Sequence, residues 1–227
     1  MQRPQFPLRL SRETLVGSVF WILSLEFFVG QAIAQLGWKG PPSYSLINDA
    51  ISDLGVTTCG TVDIAGVPEY YCSKLYVVMN TSFVLTGAFI LLGVYFTCAA
   101  WPWSRKFRAG IILVALAGIG KMAAGLNPPN VDFTLHSLGS LGIPIGDIGL
   151  ILIGLVFRKK LRWLGYFSLL LGVAGFFGFL YFLLGNTQSG LWERVGSYPI
   201  ILWCTLLGVY FIRRSQAPKE LPLPVRE

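Results

Sequence analysis

Six long apolar runs restrict what this chain can fold into more than any other feature of its sequence. They cover approximately residues 14–38, 74–100, 108–126, 135–157, 163–185 and 197–212. A helix needs about 20 mainly apolar residues to cross a bilayer. With 54% hydrophobic and 13% charged residues, the chain is also too apolar for a soluble domain of its length. We therefore predict an all-α polytopic membrane bundle of six transmembrane helices. It is expected to form a single domain over residues 1–214, followed by a short disordered cytoplasmic tail at residues 215–227.

Basic residues flank the apolar runs in clusters that fall on one side of the predicted bundle. The clusters are Arg3, Arg9 and Arg12; Arg105, Lys106 and Arg108; Arg158, Lys159, Lys160 and Arg162; and Arg213 and Arg214. Because Lys and Arg are enriched in cytoplasmic loops, both termini are predicted to be cytoplasmic in a multi-pass protein of the cell membrane. The net charge of +7 then reflects topology, and no nucleic-acid partner is predicted. Glu193 and Arg194 are expected in a loop on the opposite side.

The four cysteines divide into two groups. Cys59 and Cys72 share one predicted outer loop, whereas Cys98 and Cys204 fall within apolar runs. We predict a disulfide between Cys59 and Cys72, which would contribute on the order of 3 kcal/mol by closing a short loop. Two unpaired thiols or a metal pair are the alternatives. The spacing lacks the C-x-x-C pattern of redox and zinc sites, so neither activity is expected.

Three ionisable residues lie inside apolar runs, where a charge is costly unless it is paired or hydrated. Counting from the nearest basic cluster at 1.5 Å per residue, Glu26 and Lys121 lie roughly 20 Å above the inner face and Asp147 roughly 16 Å above it. This common depth predicts an intramembrane ion cluster. A purely structural salt bridge between helices is as consistent with the pattern as a working site.

The fourth apolar run carries a polar stripe. His136, Ser140, Ile143 and Asp147 are spaced at i, i+4, i+7 and i+11, which places them on one helical face if the helix is continuous. Pro144 is expected to bend that helix and open space beside the stripe. Asn80 has the same predicted depth as His136. A polar track is therefore expected to run inward from the outer loop past the following residues: Asp53, Asn80, His136, Asp147 and Lys121.

The chemistry of this track is open. His136 with Asp53 could act as a general base, but neither Ser52 nor Ser137 lies in a nucleophile-elbow sequence. A structural role for His136 at the start of its helix is the alternative. With one histidine in the chain, a zinc site is not expected, and no metal and no cofactor are predicted.

The phrase Ile51-Ser52-Asp53-Leu54-Gly55, followed by Asn80 and His136, resembles the prokaryotic membrane family catalogued as domain of unknown function nine hundred and ninety-eight. It resembles more distantly the eukaryotic Frag/DRAM/Sfk group, whose first outer loop has a similar phrase. The resemblance to that group suggests, by analogy, a connection with lipid remodelling and membrane trafficking. By composition alone, the first outer loop could be an ordinary connector. The resemblance favours a lid instead, in which Asp53 folds back near His136 and Asn80.

These observations predict an integral membrane protein with an outward-facing polar cavity that binds a lipid headgroup or another amphiphile. The predicted ligand-binding residues are Asp53, Asn80, His136 and Asp147. The alternatives are a membrane-embedded lipid hydrolase or transferase that uses His136 and Asp53, and a non-catalytic accessory protein, so whether the chain is an enzyme stays open. A transporter is less favoured because the sequence shows neither an inverted repeat nor paired broken helices.

Overall fold

The computed structural model describes residues 11–64, 66–101, 104–159, 161–185 and 187–216. The helices in these ranges are α1 (Arg12–Leu23), α2 (Glu26–Leu36), α3 (Tyr76–Thr97), α4 (Arg105–Leu126), α5 (Phe133–Ser140), α6 (Gly142–Phe157), α7 (Arg162–Leu183) and α8 (Ser189–Gln216). They form six segments in the described ranges that are long and apolar enough to cross a membrane, with α1 and α2 sharing the first and α5 and α6 the fourth. The predicted six-helix bundle is confirmed, and the chain is a multi-pass membrane protein.

The spans pack in a closed ring. Along this ring α1 contacts α3, α3 contacts α4, α4 contacts α6, α6 contacts α7, α7 contacts α8, and α8 returns to α1. Small residues allow the backbones to approach closely in the absence of a hydrophobic driving force between helices. A Cβ atom added to Gly87 of α3, for example, would overlap the backbone carbonyl of Gly118 on α4.

Two of the six spans are interrupted. Between α1 and α2 the Ser24 hydroxyl donates to the carbonyl of Trp21 at 2.6 Å, and a serine that bonds back in this way competes with the helical backbone ladder. Between α5 and α6 the break falls at Leu141, three residues before Pro144, which has no N–H to continue the ladder. The second interruption was predicted. The first was not predicted, because the Ser24 interruption leaves no Gly or Pro signal in the sequence.

The loop between α2 and α3, residues 37–75, marks what we call the outer end of the bundle. It contains a 3-10 turn, Ser52–Gly55, and an antiparallel hairpin of β1 (Gly60–Ile64) and β2 (Val67–Tyr71). The predicted disulfide is confirmed: Cys59 and Cys72 are bonded at the base of this hairpin, with Cα atoms 4.2 Å apart. The hairpin itself was not predicted.

The opposite end, called the inner end, is filled by aromatic side chains. Trp21, Trp101 and Trp203 are almost completely buried there and pack against Phe211. The ring centres of Trp21 and Trp203 are 5.7 Å apart, and those of Trp101 and Phe211 are 5.2 Å apart. The interior of the bundle is therefore densely packed at this end.

The last span is longer at both ends than its apolar run. It begins at Ser189, so the prediction that Glu193 and Arg194 lie in a loop is wrong; both are helical and buried. The helix also continues to Gln216, which takes the first two residues of the predicted tail. Residues 217–227 lie outside the described residues, as do Arg3, Arg9 and Lys160. The cytoplasmic placement of the termini stays a prediction.

Candidate functional site

The segment that carries Asp53 is held against α3. Ile51 and Leu54 are fully buried and anchor it to the apolar helix ends. The Ser73 hydroxyl donates to the carbonyl of Leu54 at 2.7 Å, and the side-chain amide of Asn80 donates to the carbonyl of Gly55 at 2.9 Å. Asn80 therefore holds the loop against α3 through this hydrogen bond. It does not line the cavity described below, and its predicted role as a ligand contact stays a prediction.

The start of α8 holds the same loop from the other side. The Arg194 guanidinium donates to the backbone carbonyls of Leu46, Asp49 and Gly190 and to the hydroxyl of Tyr44. The Tyr44 hydroxyl in turn donates to the carbonyl of Ala50 at 2.7 Å. Burial raises the pKa of Tyr44 above its ordinary value, so the phenol stays neutral and keeps its proton for this bond.

Two carboxylates accept neighbouring backbone N–H groups of the loop where it crosses α8. Glu193 accepts the backbone N–H of Ile51, and Asp53 accepts the backbone N–H of Ala50 at 2.7 Å. Burial, and next the charge of Glu193, raise the pKa of Asp53 well above its ordinary value. Asp53 therefore retains its proton to a higher pH than an isolated aspartic acid does.

His136 lies near the start of α5 with its ring in a defined orientation. Its Nδ1 lies 3.1 Å from the carbonyl oxygen of Ala124 and 3.0 Å from that of Asn127. Because carbonyl oxygens can only accept, Nδ1 carries the hydrogen, and Nε2 of the neutral ring is left as an acceptor. Among the hydrogen bonds of the described residues, those of the imidazole are made through Nδ1 and none involves Nε2.

A cavity of about 530 Å³ lies at the outer end between α5, α7 and the loop. Its polar lining consists of Ser52, Asp53, Thr134, His136, Ser137, Ser140 and Glu193. Apolar lining side chains include Leu138, Leu141, Phe179, Phe182 and Leu183. The structure thus brings Asp53 and His136 to one cavity and adds Glu193, which was not predicted.

Glu193 was missed because its apolar run was taken to begin at Ser197. A sequence signal did exist: Gly190, Glu193, Arg194 and Ser197 are spaced at i, i+3, i+4 and i+7, on one face of a helix that extends upstream of the apolar run. All four residues are buried.

Asp147 lies away from the cavity. It is completely buried on the face of α6 that packs against α7, where a Cβ atom added to Gly175 would overlap its carboxylate. Both carboxylate oxygens lack a hydrogen-bond partner among the described residues. His136 and Ser140 of the predicted stripe line the cavity, whereas Asp147, further along the span, does not.

Lys121 and Glu26 point into the bundle, but each bonds to hydroxyl groups. The Lys121 ammonium donates to Ser197 at 3.0 Å and lies 3.9 Å from the centre of the Phe27 ring. Glu26 accepts from the hydroxyls of Ser82 at 2.7 Å and Thr86 at 2.6 Å. The acidic charges that act on Lys121 are those of Glu193 and Glu26, so Asp147 is not brought into the predicted cluster. In the described ranges, no three His, Cys, Asp or Glu side chains are grouped so that they could hold a metal ion.

Fold and site together define a six-span membrane protein with a polar cavity under a clamped outer loop. Residues 24–210 match the family described as "Protein of unknown function (DUF998)". The chain belongs to this family, as the Ile-Ser-Asp-Leu-Gly phrase predicted, while the distant similarity to the Frag/DRAM/Sfk group stays a prediction. No curated protein and no solved structure matches the chain.

Proposed function

We propose that the cavity at the outer end of the bundle binds the headgroup of a membrane lipid or a similar amphiphile. The observation that carries this proposal is the juxtaposition of a polar wall, formed by Asp53, Glu193 and His136, with an apolar edge on α5 and α7. A volume of about 530 Å³ is in the range of small-molecule sites in proteins.

The apolar edge is oriented for access from the bilayer. Leu138 is 59% exposed, Leu141 42% and Leu183 55%, although all three line the cavity. In a membrane-spanning bundle, exposed leucines of this kind face lipid. An amphiphile can therefore keep its chain between α5 and α7 while its headgroup enters the cavity.

Lipid hydrolysis or group transfer is the second candidate, favoured by the fixed orientation of His136. Its Nε2 lone pair is available to accept a proton from water or from a lipid hydroxyl, as a general base must. Ser137 and Ser140 line the same cavity, but the described hydrogen bonds connect neither to the imidazole. A His136→Gln variant distinguishes the two functions. If the protein is an enzyme, wild type converts the bound lipid and the variant, which lacks the base, does not. If the protein only binds the lipid, neither protein converts it.

Photo-crosslinking tests the binding proposal. The full chain is placed in nanodiscs with a phospholipid that carries a diazirine next to its headgroup, and adducts are located by peptide mass spectrometry. Adducts should concentrate on the peptides that contain Ala50–Asp53 and Phe133–Leu141. Leu138→Trp should reduce them several-fold by filling the edge of the cavity, whereas Leu116→Trp, on an exposed leucine of α4, should not. Equal labelling of all outer helix ends, unaffected by Leu138→Trp, would overturn the proposal.

A further inference from the structure

We propose that the headgroup recognised by this cavity carries a primary ammonium group, received by Asp53, Glu193 and the Nε2 atom of His136. This inference rests on the proposed function, since it names the chemical class of ligand for the same cavity.

The cavity wall is rich in acceptors and poor in cations. Among the described residues that line it, two are acidic and none is Lys or Arg. The nearest basic side chains are committed elsewhere: Arg194 donates to three backbone carbonyls and to the Tyr44 hydroxyl, and Lys121 donates to Ser197. They offset part of the charge of Glu193.

Asp53 is acidic among acidic neighbours. The charges that act on it most strongly are those of Glu193, Asp49 and Glu69, and its carboxylate accepts the N–H of Ala50. A buried carboxylate with acidic neighbours is stabilised by a cation that pairs with it. Because Asp53 lines the cavity, a ligand can supply that charge.

His136 provides an independent reason to expect a donor ligand. His136 is only 7% exposed, and its Nδ1 already donates to backbone carbonyls. The remaining ring nitrogen is an acceptor that no described protein group satisfies. A primary ammonium has three N–H donors for Asp53, Glu193 and this nitrogen. A quaternary ammonium has none, and an anionic headgroup would meet acceptors of like polarity.

The test compares lipids that differ only in headgroup. Native mass spectrometry of the detergent-solubilised full chain measures the affinity of phosphatidylethanolamine, phosphatidylcholine and phosphatidylglycerol with identical acyl chains. We expect phosphatidylethanolamine to bind about tenfold more tightly than either of the others, the ratio that one charge-assisted hydrogen bond supplies. Asp53→Asn should reduce this preference several-fold while keeping the acceptor for Ala50. Asp63→Asn, a carboxylate on the hairpin outside the cavity lining, should leave the preference unchanged.

The outcomes separate the two levels of the account. If headgroup crosslinks map to the cavity but the three lipids bind wild-type protein equally, the ammonium inference is wrong and the proposed function stands. If no headgroup crosslink maps to the cavity, both are wrong. A competition experiment with free ethanolamine distinguishes a soluble amine from a lipid as the ligand. If free ethanolamine displaces bound phosphatidylethanolamine, the ammonium chemistry is supported and a soluble amine is the ligand. If it does not displace the lipid, the lipid itself is the ligand. The comparison of lipids on wild-type protein needs no variant to fold.

Discussion

The carboxylate of Glu193 accepts the backbone N–H of Ile51, which lies 142 residues earlier in the chain. This bond joins the last span to the first outer loop, and it leaves Glu193 in the wall of the cavity. One side chain therefore helps to fix the position of the loop and to set the charge of the site.

Glu193→Ala should destabilise the protein more than Glu193→Gln. Alanine removes the acceptor and leaves the buried N–H of Ile51 without a partner, at a cost of roughly 1.5–3 kcal/mol, whereas glutamine retains an acceptor oxygen. Thermal unfolding in detergent measures the difference. An alanine variant as stable as wild type would show that the bond does not hold the loop, and Asp63→Asn serves as the control.

Asp53→Asn should become more stabilising as pH rises. The raised pKa of Asp53 means that the folded state holds a proton that the unfolded state releases from about pH 3.8 upward, so the wild-type free energy of unfolding decreases across that window. Above the folded-state pKa the loss is complete. Asparagine cannot ionise and avoids this loss. Unfolding temperatures of both proteins should agree near pH 4 and diverge toward pH 9; a constant difference would contradict the shift.

Gly175→Ala should loosen the contact between α6 and α7. The new methyl group would overlap the carboxylate of Asp147, and overpacking of this kind costs roughly 1–3 kcal/mol. In an Asp147→Ala background the space is free, so the same glycine change should cost much less. Thermal unfolding of the four proteins measures the coupling, and equal costs in both backgrounds would contradict the packing described here.

Lys121 should couple to Glu26 and not to Asp147. Replacing Lys121 by Met leaves the half-buried charge of Glu26 without this opposite charge, and Glu26→Gln should relieve part of that cost. The glutamine oxygen can accept from one of the two hydroxyls, Ser82 or Thr86, while its amide can donate to the other. A double-mutant cycle on stability should give a coupling of roughly 0.5–3 kcal/mol for this pair. The matched cycle with Asp147→Asn should be additive. A measurable coupling between Lys121 and Asp147 would contradict this prediction and support the ion cluster that the sequence predicts.

The spans and the disulfide were predictable because their signals are local or shared by one loop. Apolar runs of sufficient length define the six spans, and Cys59 and Cys72 lie in the same predicted outer loop. Asp53 and His136 were also predicted close to the same space, from a short family-like phrase. Their presence in one cavity agrees with that expectation, while their role as ligand contacts stays a prediction.

The remaining site residues depend on tertiary contacts that hydropathy does not contain. Glu193 is buried where its carboxylate accepts the N–H of Ile51, a contact between distant parts of the chain that the apolar runs do not predict. Asn80 has the predicted depth, but it bonds to the carbonyl of Gly55. Asp147 packs against Gly175 of α7 and does not line the cavity, a helix contact that the apolar pattern of the sequence does not specify.

The binding of an amphiphile is tested most directly by the structure of the full chain in a nanodisc that contains phosphatidylethanolamine. The account predicts elongated density that enters between Leu138 and Leu183, with its polar end within about 2.7–3.2 Å of Asp53 and of Nε2 of His136. A cavity that holds only water, with all lipid density outside the ring of helices, would contradict it.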